Sequence, residues 1–255
     1  IADRFFNLFG LKKLAFLIYV LHNQLTSNEN VRLLKQIASW FDEIEIDPLR
    51  SKTIVKITGE FWAAITDGDG NYKMHSFLES EDAVVLVEPV ATYIQFMLDK
   101  HLLRLTDRKE MIMQDKINHW WQLKQRMTNW IVYKKKLWVL KLGYQLYRRE
   151  YSRLLQALGG NTYMLIDQKE LQQIAHHYYH SHIEGGEGYM EIAKNIYYHQ
   201  KAKCHMVLSL KPFGCMPSTQ SDGVQAAVTE HHKNMIFLPL ETSGEHSHFH
   251  RRTKG

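Results

Sequence analysis

Five short apolar runs, separated by stretches with helical periodicity, constrain this chain more than any other feature. They are Thr53–Thr58, Ala83–Val87, Thr162–Ile166, His205–Leu210 and Met235–Pro239. Each has the length of a strand and is at least half apolar. Near-continuous apolar strands that alternate with helices belong to parallel sheets covered on both sides. Right-handed crossovers then place every strand's carboxyl end on one rim, where open α/β sheets gather their ligands. The expectation is an α/β fold: a Rossmann-like parallel sheet with flanking helices and an extended helical segment.

Between the runs, residues 2–24 and 28–44 read as helices. Ser27 or Asn28 caps the second, and Val31, Leu34, Ile37, Ala38 and Phe41 share one face. Further helices are expected over 72–80, most of 90–106 and 110–158, about 168–180, 187–200, and from Ser221-Asp222-Gly223 onward. This divides the chain into a helical lead-in (1–50), a Rossmann-like domain (51–245) with a basic helical insertion at about 108–158, and a tail (246–255).

Composition sets outer limits. A chain of 255 residues, 45% hydrophobic and 23% charged, has the material for a sizeable core. Its two cysteines make no disulfide framework and fit a reducing, cytoplasmic setting. The apolar run Leu14–Leu21 is far shorter than the roughly 20 residues of a membrane span, so no membrane partner is expected. The chain opens on isoleucine, which reads as a segment of a longer polypeptide.

The net charge of +5 is unevenly spread. Lys116, Lys124, Arg126, Lys134, Lys135, Lys136, Lys141, Arg148, Arg149 and Arg153 crowd one region, interleaved with Trp120, Trp121, Trp130, Trp138, Tyr144 and Tyr147. Such a mixture suits nucleic acid or an anionic surface, but no nucleic-acid motif accompanies it. It reads as an amphipathic helix or helix pair whose aromatics pack and whose lysines snorkel. A basic collar for a phosphate-bearing cofactor such as coenzyme A also fits.

The turns after the strands carry the chemistry. Lys211-Pro212-Phe213-Gly214-Cys215-Met216-Pro217-Ser218 follows one strand, and its prolines and glycine hold the Cys215 sulfur in a shaped turn. Gly59-Glu60-Phe61-Trp62, Glu88-Pro89 and Glu241-Thr242-Ser243-Gly244-Glu245 belong to the same rim, and Gly186-Glu187-Gly188 precedes a helix. In order and spacing over roughly 50–245, these motifs resemble the 2-hydroxyacyl-CoA dehydratase and benzoyl-CoA reductase superfamily. The resemblance is strongest to the dehydratase-like region of CoA-substrate-specific enzyme activases.

That resemblance implies an iron–sulfur cluster, of 4Fe–4S type in relatives, and low-potential electron transfer for acyl-CoA chemistry. It makes Cys215 a metal ligand and places Glu60, Glu187 and Glu245 on cofactor-site motifs. It also implies an ATPase activator as partner, and acyl-CoA as a possible second one. A cluster needs about three or four protein ligands. Cys204 stands at the opposite end of a strand from Cys215 and reads as a packed small hydrophobe. The remaining ligands are therefore expected from an upstream part of the same polypeptide or from a second subunit. The alternative is a non-catalytic scaffold or docking domain that keeps the fold without a complete cluster site.

Other constellations are weaker. His176 and His180 have the i, i+4 spacing of helical metal ligands but lack a third partner, and His246, His248 and His250 form a loose histidine tail. Asp67-Gly68-Asp69-Gly70-Asn71 begins like a calcium loop but has tyrosine where glycine is needed. No GxSxG elbow supports serine catalysis.

Overall fold

The computed structural model describes residues 11–47, 49–66, 68–117, 119, 121–160, 163–183 and 186–242. They fall into two compact units. One holds the residues up to Ile46 together with Lys100–Met164, and the other holds Asp47–Asp99 and the residues from Leu165 onward.

The second unit is built on four parallel strands: β1 (Thr53–Gly59), β2 (Ala83–Leu86), β3 (Met206–Pro212) and β4 (Ile236–Thr242), in the order β2-β1-β3-β4. Thr53 pairs with Ala83, Val55 with Met206, and Met206 with Ile236. The expected Rossmann-like parallel sheet is present. The run Tyr163–Ile166 is not a strand, however; it leads into a helix that Asp167 caps through the Lys169 amide, at 2.9 Å.

The sheet is flanked by α3 (Phe61–Ile65), α4 (Met74–Ser80), α5 (Val90–Asp107), α8 (Gln168–Ala175), α9 (Gly188–Gln200) and α10 (Met216–His231). One sheet face is apolar: Val55, Ile57, Leu208 and Leu210 pack with Ala63, Ala64, Met74 and Leu78. A second apolar cluster lies around α9, where Ile192, Ala193 and Ile196 meet Leu171, Ala175, Phe96 and Val228. The sheet face that α9 covers is polar, and this determines much of the site chemistry.

The first unit contains α1 (Leu11–Thr26), α2 (Glu29–Asp42), α6 (Lys109–Gln114) and the 35-residue α7 (Leu123–Ala157). Arg153 ties α7 to the end of α1, donating to the carbonyls of Gln24 and Ser27 at 3.2 Å each, and is itself held by Glu150 at 2.8 Å. Asn129 donates to the carbonyls of Met113 and Asp115 at 3.2 and 2.8 Å, closing the end of α6 onto α7. Among the described residues, no helix is long and apolar enough to cross a membrane.

Candidate functional site at the strand rim

Strand order locates the site. From β1 the chain crosses to β2 on one side, and from β3 it crosses to β4 on the other. β1 and β3 are neighbours, so the connections diverge between them. This is the topological switch point, where open α/β sheets leave a crevice beyond the strand ends. The turn after β1 carries Gly59 and Glu60, and the turn after β3 carries Gly214 and Cys215.

The first turn is closed onto β3. The Glu60 amide donates to the Leu210 carbonyl at 2.7 Å, and Gly59 sits at φ +103° with its α-carbon pressed against β3. A β-carbon there would come within 2.1 Å of the Leu210 oxygen, so only glycine fits. The Glu60 side chain accepts from the Ala63 amide at 2.7 Å, capping α3. Cys215 is the N-cap residue of α10, with extended backbone and no capping bond from its own side chain. The helix therefore opens at Met216, five residues before the start expected from sequence, because Pro217 is well placed in a first turn.

The segment before α9 bridges both turns. Gly186 lies against Pro217, near enough that a β-carbon would come within 2.4 Å of its ring. The Phe61 backbone amide favours the charged form of Glu187, but only as a minor influence. Burial pushes the Glu187 carboxyl up to about 7 against the pull of Lys194, and the charges of Glu60 and Glu191 add to the rise. Tyr93 stacks on Phe61 with ring centroids 4.6 Å apart, and burial, then Glu187 and Glu60, raise its hydroxyl. The structure thus brings Cys215, Glu60 and Glu187 to one rim. Glu245 and the tail lie outside the described residues.

The residues that sequence reasoning missed lie below this rim. Glu191, Lys194, Asn195 and Tyr198 continue from the expected Glu187 at helical spacing along the side of α9 that meets the sheet. Ser209 and Ser221 donate to the two Glu191 oxygens at 2.5 Å each, and burial raises that carboxyl. Thr58 donates to Asn195, which donates to Gln225, both at 3.3 Å. Lys211, 1% exposed, pairs with Asp222. Lys56, also 1% exposed, lies 3.8 Å from Glu88 and 4.9 Å from the centre of the Tyr198 ring. Lys194 pairs with the same Glu88.

Electrostatics follow from this packing. Burial alone would raise Glu88, but Lys194 and Lys56 outweigh it and hold the carboxyl at about 2. Burial draws Lys56 down to about 8, with Glu88 offsetting part of the fall. A cleft of about 50 Å³ runs between these groups, lined by Lys56, Glu88, Tyr93, Glu187 and Lys194 among others. It has room for small solvent-sized groups only. Cys215 is not in its lining. The arrangement offers a carboxyl able to exchange a proton near neutral pH beside a fixed ion triad.

The rim does not by itself form a complete iron–sulfur site. β3 runs seven residues between the two cysteines, about 20 Å at 3.3 Å per residue. Burial raises the Cys204 thiol, as befits a packed side chain rather than a ligand. His176 and His180 approach to 5.1 Å between ring centres, and His180 and His182 to 4.8 Å. Among the described residues, no three histidines, cysteines or carboxylates are arranged to hold a metal ion. No protein family matches the chain, and no curated protein or solved structure is detectably similar to it.

Proposed function

We propose that this chain is part of an iron–sulfur redox protein of the CoA-substrate-specific activase or 2-hydroxyacyl-CoA dehydratase type, passing low-potential electrons for acyl-CoA chemistry. The observation that supports this reading is the placement of Cys215 at the switch point of a parallel sheet. One glycine–glutamate turn packs on Leu210 of the strand that leads to it, and a second on Pro217, two residues beyond it. Thiolate sulfur is the preferred donor for iron–sulfur clusters. In this reading Cys215 is one ligand, and another part of the same polypeptide or a second subunit supplies the others. An ATPase activator is the expected partner, acyl-CoA the substrate class, and the cytoplasm the location.

A second reading has its own support. The described residues hold no complete ligand set, which favours a scaffold or docking domain that keeps the fold without the cluster. One experiment separates the two: anaerobic reconstitution with iron and sulfide, read by absorption near 400 nm and by iron content, on the wild type and Cys215→Ala. Iron bound by the wild type and lost in the variant is the redox outcome. Iron bound equally by the wild type and Cys215→Ala overturns the first reading for Cys215; colourless protein in both cases is the scaffold outcome for this chain taken alone.

A further inference from the structure

The helical unit contains a groove of about 840 Å³ between the last turns of α5, α6 and the first half of α7. Its floor is aliphatic, with Leu105, Val132 and Val139 among the lining side chains. Its rim is basic: His101 and Arg104 come from α5, Arg108 from the N-cap of α6, and Lys135 and Lys136 from α7. No carboxylate lines it among the described residues.

Three features separate this groove from an ordinary solvated helix face. Val132, Lys136 and Val139 follow each other at i, i+4 and i+7, so apolar and cationic groups share one stripe of α7. Arg104 in the last turn of α5 and Arg108, the N-cap of α6, form a matching i, i+4 pair, the Arg108 amide donating to the Arg104 carbonyl at 3.1 Å. The concavity is also structurally supported, since the Asn129 hydrogen bonds hold the end of α6 against α7. Its volume lies within the roughly 300–1,000 Å³ of small-molecule sites.

We infer that this groove binds a single-chain anionic amphiphile, with its tail on the aliphatic floor and a phosphate or carboxylate head among the rim cations. Nucleic acid fits less well, because base stacking calls for aromatic faces and the floor is aliphatic. The inference uses none of the strand-rim residues and stands independently of the redox reading.

The test is titration calorimetry of the full chain with decyl phosphate below its micelle concentration. Octyl phosphate, decanol and inorganic phosphate serve as comparisons. Decyl phosphate binds saturably at one site. Octyl phosphate binds about 15-fold more weakly, at about fourfold for each lost methylene. Added salt weakens binding, because the rim cations are exposed. Arg108→Gln and Lys136→Gln each weaken it about tenfold, whereas Lys124→Gln, outside the groove, leaves it unchanged. All three side chains are exposed, and circular dichroism melts check that the variants fold.

Co-sedimentation with phosphatidylglycerol vesicles, lost in Arg108→Gln, assigns the head group to a bilayer lipid. Its absence, with decyl phosphate still bound, assigns it to a soluble ligand. The inference fails if decyl phosphate does not saturate or if decanol binds as tightly. It also fails if both groove variants behave as wild type, or if a single-stranded oligonucleotide displaces decyl phosphate more effectively than octyl phosphate does.

Discussion

Replacing Gly59 by alanine should unfold the rim, while the same replacement at Gly223 should strengthen the protein. At Gly59 the backbone has φ +103°, and a new methyl would meet the Leu210 oxygen, nitrogen and carbonyl carbon at 2.1, 2.7 and 2.8 Å. All three are backbone atoms of a central strand and cannot rotate away. Left-handed strain costs about 1–3 kcal/mol and overpacking about 1–3 kcal/mol. If β3 is displaced, the bond from the Glu60 amide to Leu210 is lost and adds about 1 kcal/mol. The total, roughly 3–7 kcal/mol, is a large part of the stability of a typical domain. Gly223 lies inside α10 with nothing near its would-be β-carbon. Alanine there gains about 0.5–1 kcal/mol from helix propensity. The assay is urea unfolding followed by circular dichroism. At about 2 kcal/mol per molar, Gly59→Ala shifts the midpoint down by roughly 1.5–3.5 M. Equal midpoints for Gly59→Ala and wild type would refute the close approach of β1 and β3 on which the site rests.

Three further outcomes are expected. Glu88→Gln should destabilise by about 3–5 kcal/mol, because Lys56 and Lys194 then stay buried without their shared anion. Lys56→Met, which leaves the Glu88–Lys194 pair intact, should cost distinctly less; thermal melts that rank them the other way count against the triad. Glu187 is raised to about 7 from 4.5, so its contribution to stability is full below pH 4.5 and declines as pH rises towards 7. Glu187→Gln should remove that part of the pH dependence in unfolding curves measured between those values. Cys215→Ser should raise stability by about 1 kcal/mol, since a serine hydroxyl caps a helix at this extended N-cap position and the thiol makes no capping bond. A lower melting temperature for Cys215→Ser would argue against that cap geometry.

The sheet was readable because its strands keep apolar residues on the face that meets α3 and α4, and because helical stretches separate them. Cys215 stood out since a thiol between two prolines and a glycine has little use as a turn former. The polar residues of the same strands gave no sign that they form a buried seam, for a physical reason. In Thr-Ile-Val-Lys-Ile-Thr-Gly and Met-Val-Leu-Ser-Leu-Lys-Pro the residues Lys56, Thr58, Ser209 and Lys211 alternate with apolar ones, a pattern that normally marks a face open to water. Here that face is buried under α9. The clue was available in α9 itself, where Glu187, Glu191 and Lys194 recur at helical spacing opposite Ile192, Ala193 and Ile196. Two polar stripes of matching spacing can be buried against each other, but single-strand periodicity cannot show that they meet. The run Tyr163–Ile166 is apolar like the strands but pairs with none of them, and run composition alone does not reveal a pairing partner.

The polar seam beneath α9 also bears on how sharply the rim is positioned. Greasy contacts tolerate sliding, since one methyl is much like the next. A row of serine–carboxylate, threonine–amide and lysine–carboxylate pairs does not. Shifting α9 by one turn would break the Ser209 and Ser221 bonds to Glu191, the Thr58 bond to Asn195 and the Lys194 pairing together. The helix therefore works as a keyed part with a single seat. The residue at its leading end, Glu187, inherits that positional accuracy without needing tight packing of its own.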